Sequence, residues 1–277
     1  MGEILGKGTT SVVRRGYRTI DGEIKTYALK IISTKDDRSD YTLPTDAKME
    51  TRITEGFHHS CILRLYKVFT WAKSIILVME GASRGELFGA IVNEYNANVM
   101  TEQNAKSYFY QILNFVNYLH QRKLCHRDLN LKNILISKEK VGSVSIVKVA
   151  DFGLSKSWIG RYGPLKSYVS PPAPVYMAPE ISRLEASKHR YPPHSHKVDC
   201  WSLGVILSTM LSGRRPFKTG MNLNTNIMSR RSLTMERRIW DMVSSKAKIL
   251  VRKPWVNILP NASKGGGGSH YKDINQI

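Results

Sequence analysis

The run His126-Arg127-Asp128-Leu129-Asn130-Leu131-Lys132-Asn133, followed after a short strand pair by Asp151-Phe152-Gly153, decides how this chain is read. An aspartate at 128 can orient an attacking hydroxyl. An asparagine five residues on and a second aspartate at 151 supply oxygen ligands for a hard divalent cation. Those are the needs of phosphoryl transfer, which asks for positioning and charge neutralisation more than for covalent chemistry. Behind these residues follow Ala178-Pro179-Glu180 and Asp199-Cys200-Trp201-Ser202-Leu203-Gly204. Four such runs in this order are hard to meet by chance.

Working toward the N-terminus, Tyr27-Ala28-Leu29-Lys30 ends in a lysine that can reach nucleotide phosphates if a carboxylate holds it. Glu50 is the candidate partner, on a predicted helix over Thr45–Phe57. Further upstream, Gly6-Lys7-Gly8-Thr9-Thr10-Ser11-Val12-Val13 puts small residues at a turn, where backbone N–H groups can approach phosphate oxygens. Taken alone, that glycine pattern also suits an ordinary hairpin, and Lys30 alone suits a solvated surface. β-branched and apolar residues predict strands in Met1–Tyr17, Tyr27–Ser33 and Ile75–Met79. After Gly81 the pattern turns helical. Thr101-Glu102-Gln103 reads as a helix start, and Tyr108, Ile112, Phe115, Val116 and Leu119 follow at helical spacing toward His120. Val198–Leu211 is a second, buried helix.

Together these residues resemble the eukaryotic protein kinase family, from Met1 to about Trp255. The resemblance implies an α+β, two-lobed protein kinase fold. It has a small β-rich lobe over residues 1–80 and a larger helical lobe over 81–260, shortened at its end. A flexible tail containing Gly265–Gly268 and Ser269 is expected over 261–277. Implied cofactors are ATP and Mg2+. Asp128, Lys30, Glu50 and Asn133 are the expected catalytic residues, with Asn133 and Asp151 holding the metal. Nucleotide contacts are expected from Gly6, Lys7, Gly8, Val13, Ala28, Lys30 and Asp151. Met79 is implied at the back of the pocket, Glu80-Gly81-Ala82 beside adenine, and Glu86 near ribose or substrate. Gly85-Glu86-Leu87-Phe88, Tyr108-Phe109-Tyr110-Gln111, Asp151–Lys156 and Val198–Leu207 look like the calmodulin-dependent-kinase group. Within that group the likeness is to the checkpoint effector kinase that carries a forkhead-associated domain, although no such domain is found in this sequence.

Five positions depart from the family pattern. Asn130 stands where the family's Ser/Thr members carry a lysine that neutralises the γ-phosphate, an electrostatic contribution often worth about 10²–10³ in rate. Pro172-Ala173-Pro174 lacks the threonine that would bond to that aspartate and lysine. Lys132 replaces a glutamate that receives a substrate arginine in basophilic relatives, so arginine upstream of the acceptor should be disfavoured. After Trp240–Arg252 the chain passes almost at once to Lys253-Pro254-Trp255, omitting an arginine that would pair with Glu180. That shortening is read either as divergence or as a wrongly joined gene sequence. Thr54 replaces an apolar residue expected to stack on Phe152.

Composition narrows the remaining choices. The chain has 277 residues, 42% hydrophobic and 23% charged, enough for a sizeable core. No apolar run approaches the roughly 18–20 residues of a membrane span, and Met1–Ser11 lacks the apolar centre of a signal peptide. Three well-separated cysteines, Cys61, Cys125 and Cys200, suit a reduced, intracellular protein in nucleus or cytoplasm. Lys and Arg outnumber Asp and Glu by 42 to 22, a formal +20 that favours anionic partners without selecting among them. Protein substrates are the expected partners, with an upstream activating kinase acting within residues 151–180, where Ser167, Tyr168 and Ser170 offer hydroxyls. Direct nucleic-acid binding and membrane association are not expected. The leading reading is a Ser/Thr protein kinase. Its alternative is a pseudokinase or scaffold that binds nucleotide with weak or no phosphotransfer.

Overall fold

Alternating apolar residues near the N-terminus form a five-stranded antiparallel sheet in the computed structural model of the chain. The structure describes residues 1–8, 11–33, 45–71, 73–82, 84–91, 100–157, 174–178, 196–217 and 240–252. The strands are β1 (Ile4–Lys7), β2 (Ser11–Ile20), β3 (Glu23–Ser33), β4 (Leu65–Trp71) and β5 (Ser74–Glu80), in the order β1-β2-β3-β5-β4. β2 and β3 run longer than the apolar pattern suggests. Asp21 and Gly22 both take positive φ (51° and 80°), the two-residue turn whose twist matches a hairpin. The ladder therefore continues outward through polar Arg18, Thr19, Lys25 and Thr26.

One face of the sheet is apolar. Ala28, Ile32, Ile75, Leu77 and Met79 bury against Ala47 of α1 (Thr45–Gly56), with Val13, Leu65 and Val68 packed alongside. Each large aliphatic side chain so buried contributes roughly 1.5–3 kcal/mol. β7 (Ile134–Val141) and β8 (Val144–Val149) form a hairpin. Val149 N–H donates to the Cys61 carbonyl at 2.7 Å, while Ile136 exchanges backbone bonds with Arg84 and Gly85. Those bonds make residues 1–85 and 135–154 one unit. The division thus falls at residue 85, not 80, and Asp151 belongs with the sheet.

The second unit takes residues 86–134 and the described part of 155–277. Its helices are α2 (Glu102–Gln121), α3 (Lys197–Ser212) and α4 (Ser245–Arg252). Thr101 caps α2, its hydroxyl accepting from Asn104 N–H at 3.2 Å. On α2, Ile112, Phe115, Val116 and Leu119 are buried as their spacing predicts, whereas Tyr108 is only half-buried and Ala105 and Phe109 complete the stripe. α3 is buried from Val198 through Ser212 and ends at Gly213, whose φ of 67° is the left-handed cap that glycine supplies. Short strands β6 (Leu124–Cys125) and β9 (Lys156–Ser157) pair with each other. Glu102 accepts from Ser244 N–H and Oγ–H at 2.9 and 2.6 Å, and Ser244 Oγ in turn accepts from Ala247 N–H at the start of α4. Among the described residues no helix is long and apolar enough to cross a membrane. The expected tail, the Lys253–Trp255 junction, Ala173, Glu180 and the hydroxyls at 167, 168 and 170 lie outside the described residues.

Candidate functional site

The first unit builds a cation held between two carboxylates. Strand pairing sets Lys30 between Val13 and Leu77, so its side chain lies on the apolar, inward face with Ala28 and Ile32. α1 supplies Glu50 from below. Lys30 Nζ donates to Glu50 Oε2 at 2.6 Å and to Asp151 Oδ1 at 2.9 Å. Lys30 and Glu50 are 8% and 2% exposed, which makes the pair costly to break. Burial alone would depress the Lys30 ammonium. The two carboxylates outweigh it and hold the pKa above its ordinary value. Asp151 sits at a φ of 64°, a left-handed backbone rare for a non-glycine residue, and Gly153 N–H returns to its Oδ1 at 3.4 Å.

Other predicted residues of this unit fall into two kinds. Gly6 and Lys7 end β1, and Gly8 N–H donates to Ser11 carbonyl at 2.8 Å to turn the chain. A Cβ at Gly6 would meet nothing within 4 Å, so that backbone is approachable. Val13, Ala28 and Met79 belong to the sheet core. Glu80 is engaged through its side chain, which accepts from Lys148 Nζ at 3.0 Å and from Arg64 N–H at 3.2 Å. What residues 80–82 can offer a ligand is therefore backbone. Ala82 follows β5 in irregular, half-buried chain. Thr54 turns its hydroxyl back to the Glu50 and Thr51 carbonyls, satisfying it within α1.

The second unit builds a clamped carboxylate. Leu129 and Leu131 are buried and anchor the 126–133 loop, leaving the polar residues between them to bond one another. Asn133 Nδ2 donates to Asp128 Oδ2 and to the Asp128 carbonyl, both at 2.9 Å. Asn130 Nδ2 donates to Asp128 Oδ1 and carbonyl at 3.2 Å, while its Oδ1 accepts from Lys132 and Asn133 N–H at 3.0 and 3.2 Å. Lys132 is exposed. Glu86, also exposed, belongs to this unit, and its carbonyl accepts from Gly89 N–H at 3.0 Å.

Asp199, in the first turn of α3, holds the loop's entrance. It is fully buried; its Oδ2 accepts from His120 Nε2–H at 2.8 Å and from His126 N–H at 2.9 Å, and its Oδ1 accepts from Arg127 N–H at 2.8 Å. Burial would raise its pKa, but these bonds and the facing histidine lower it to about 2. They also secure Arg127 at a φ of 71°. His120, Cys125 and Asp199 offer ligand atoms within 4.8 Å of one another. With the Asp199 oxygens spent on three donors, the cluster is an anchor, not a cation site. The motif run containing Asp199 was visible in the sequence, yet its role was not. The signal for that role was an acid in the first turn of an otherwise apolar helix. His120 carried no comparable signal.

Asn133 in the second unit and Asp151 in the first each carry an oxygen of the kind that Mg2+ takes. Asn133 commits its amide nitrogen to Asp128 and so presents Oδ1, and the Asp151 side chain is 48% exposed. A nucleotide's phosphates suit the charged Lys30 and the approachable Gly6 backbone.

Comparison with known proteins identifies the family. Residues 1–257 match the family described as "Protein kinase domain", and with that match comes the two-lobed fold. The chain is 35% identical over 256 residues to "Probable serine/threonine-protein kinase fhkD" of Dictyostelium discoideum, covering 90% of this chain and 33% of that protein. It is 31% identical over 256 residues to "Ovarian-specific serine/threonine-protein kinase Lok" of Drosophila melanogaster, covering 90% and 51%. Against "NUAK family SNF1-like kinase 1" of Mus musculus it is 34% identical over 215 residues, covering 78% and 30%. The chain therefore spans about a third to a half of the length of these relatives.

Proposed function

Because the chain belongs to the protein kinase family, we propose that it is an ATP-dependent serine/threonine protein kinase acting on hydroxyls of protein substrates. The observation that carries this reading is Asp128, a buried carboxylate held by Asn133 at 2.9 Å and ready to accept a hydroxyl proton. Lys30, held by Glu50, binds phosphate oxygens, and the backbone of residues 6–8 and 80–82 holds the rest of the nucleotide. By the family resemblance Asn133 and Asp151 are the residues that would hold Mg2+, which would supply positive charge to the phosphates. Asp128 orients the acceptor oxygen and takes its proton as that oxygen bonds to the γ-phosphorus and the bridging oxygen departs with ADP.

Radiolabelled phosphate transfer to a protein substrate tests this. Asp128→Asn should lower kcat by about 10²–10⁴, the usual worth of a positioned base. The thermal shift produced by ATP and Mg2+ should remain. A second reading, a scaffold that binds nucleotide without efficient transfer, is favoured by one observation. Asn130 turns its whole amide into its own loop, so no cation projects from that position. Equal, near-zero transfer by wild type and Asp128→Asn, with nucleotide binding intact in both, would select it.

The likeness to the calmodulin-dependent-kinase group, and within it to the checkpoint effector kinase, is part of the same proposal. It is supported by Gly85–Phe88 and by Val198–Leu207. So are an intracellular location in nucleus or cytoplasm, supported by three buried thiols, and activation by an upstream kinase within residues 151–180. Lys132 supports selection against substrate arginine, which a peptide array reads directly.

A further inference from the structure

We infer that Asn130 is a positioning residue for Asp128: with Asn133 it forms a two-sided amide clamp on the reacting carboxylate. This deepens the kinase reading and rests on it. The position departs from the family's lysine, and its side chain turns into its own loop. Asn130 is only 4% exposed. Its Nδ2 lies on Asp128 Oδ1, on the opposite oxygen from Asn133 Nδ2. Both amides also reach the Asp128 carbonyl, so backbone and side chain of the aspartate are fixed together. The other end of the Asn130 amide has a separate task. Its Oδ1 accepts the N–H groups of Lys132 and Asn133, closing the turn that carries Asn133.

The division of labour within one side chain matters. A lone amide on one oxygen leaves a carboxylate able to rotate about its Cβ–Cγ bond. Amides on both oxygens fix the plane of the carboxylate. Asn130 thus offsets part of what the lost lysine contributed by orientation, through Asp128 and without touching phosphate.

The two ends can be separated by Asn130→Asp. Aspartate keeps an oxygen acceptor for the Lys132 and Asn133 N–H groups, so the turn survives. It replaces the donor facing Asp128 with a negative charge. The expected result is a fall in kcat of about tenfold or more, with KM for ATP within about twofold. The loss should lie in kcat and not in KM, because the carboxylate is misoriented while the nucleotide contacts are untouched. A role confined to capping the turn would leave kcat at its wild-type value, and that result overturns the inference. If Asn130→Asp does not fold, Asn130→Ser is read in its place. Its hydroxyl still caps the turn but is too short to reach the carboxylate, and the same loss of kcat is expected. Should Asp128→Asn abolish transfer while both Asn130 variants match wild type, the inference alone falls. Should wild type itself transfer no phosphate, the kinase reading falls and takes the inference with it.

Discussion

At the scale of single residues, Lys30 shows how burial and charge select a role. A solvated lysine and a nucleotide-holding lysine are indistinguishable in the string Tyr27-Ala28-Leu29-Lys30. They become distinct once Lys30 is 8% exposed and bonded to two carboxylates. Replacing it with methionine leaves Glu50, 2% exposed, without its cation. Lys30→Met should destabilise the chain by about 3 kcal/mol, read from the shift in urea midpoint. The same variant should lose the thermal shift with ATP and Mg2+. Asp128, Asn133 and Asp151 were legible as chemistry from residue type and spacing alone. Asn130 was legible only as a departure. Its amide has two faces, and nothing in the sequence says which neighbours each face meets.

At the scale of elements, α3 is the piece whose terminus does the most. Its first turn carries Asp199, which bonds the backbone of His126 and Arg127, and its N-cap residue is His196. The His196 ring packs edge-on against His120 at 4.9 Å between centroids. Burial, with the neighbouring His120, lowers its pKa from 6.5 to about 4, and a cation is also unwelcome at a helix N-terminus. Between those pH values the unfolded chain binds a proton that the folded chain refuses. Stability from this group is therefore complete above pH 6.5 and is lost as pH falls toward 4. Denaturant midpoints measured across that range should decline, and His196→Gln should flatten the decline. Asp199 acts lower. Its carboxylate, depressed from 3.8 to about 2, contributes stability that is present above pH 4 and disappears as pH falls through 2. Asp199→Asn should remove that lower step. The helices themselves were legible because apolar spacing at 3.6 residues survives in any sequence that buries one face. The lengths of β2 and β3 were not read from their polar outer halves. They follow from the Asp21-Gly22 turn, a two-residue signal easily outweighed by an apolar count.

At the scale of the whole molecule, charge is the dominant property. A formal +20 favours anionic encounter partners through long-range steering, and an acidic protein substrate is one test of it. Raising salt from about 0.05 to about 0.5 M shortens the screening length severalfold. It should lower kcat/KM for an acidic protein substrate several-fold while leaving a neutral peptide nearly unchanged. An equal response from both substrates would count against steering. Boundaries at this scale are where sequence reading fell short. The cut at residue 80 tracked the change from strand-like to helix-like pattern, whereas β7 and β8 return to the first unit through backbone bonds to Arg84, Gly85 and Cys61. By itself the sequence determined the family and singled out the residues suited to its chemistry, because those depend on residue type, spacing and periodicity along the chain. Only the tertiary structure decided which carboxylates hold Lys30, that Asp199 anchors the loop, and that Asn130 faces Asp128. Those facts depend on which donor meets which acceptor across long stretches of chain and on how far water is excluded from each pair, and neither is a property of any local run of residues.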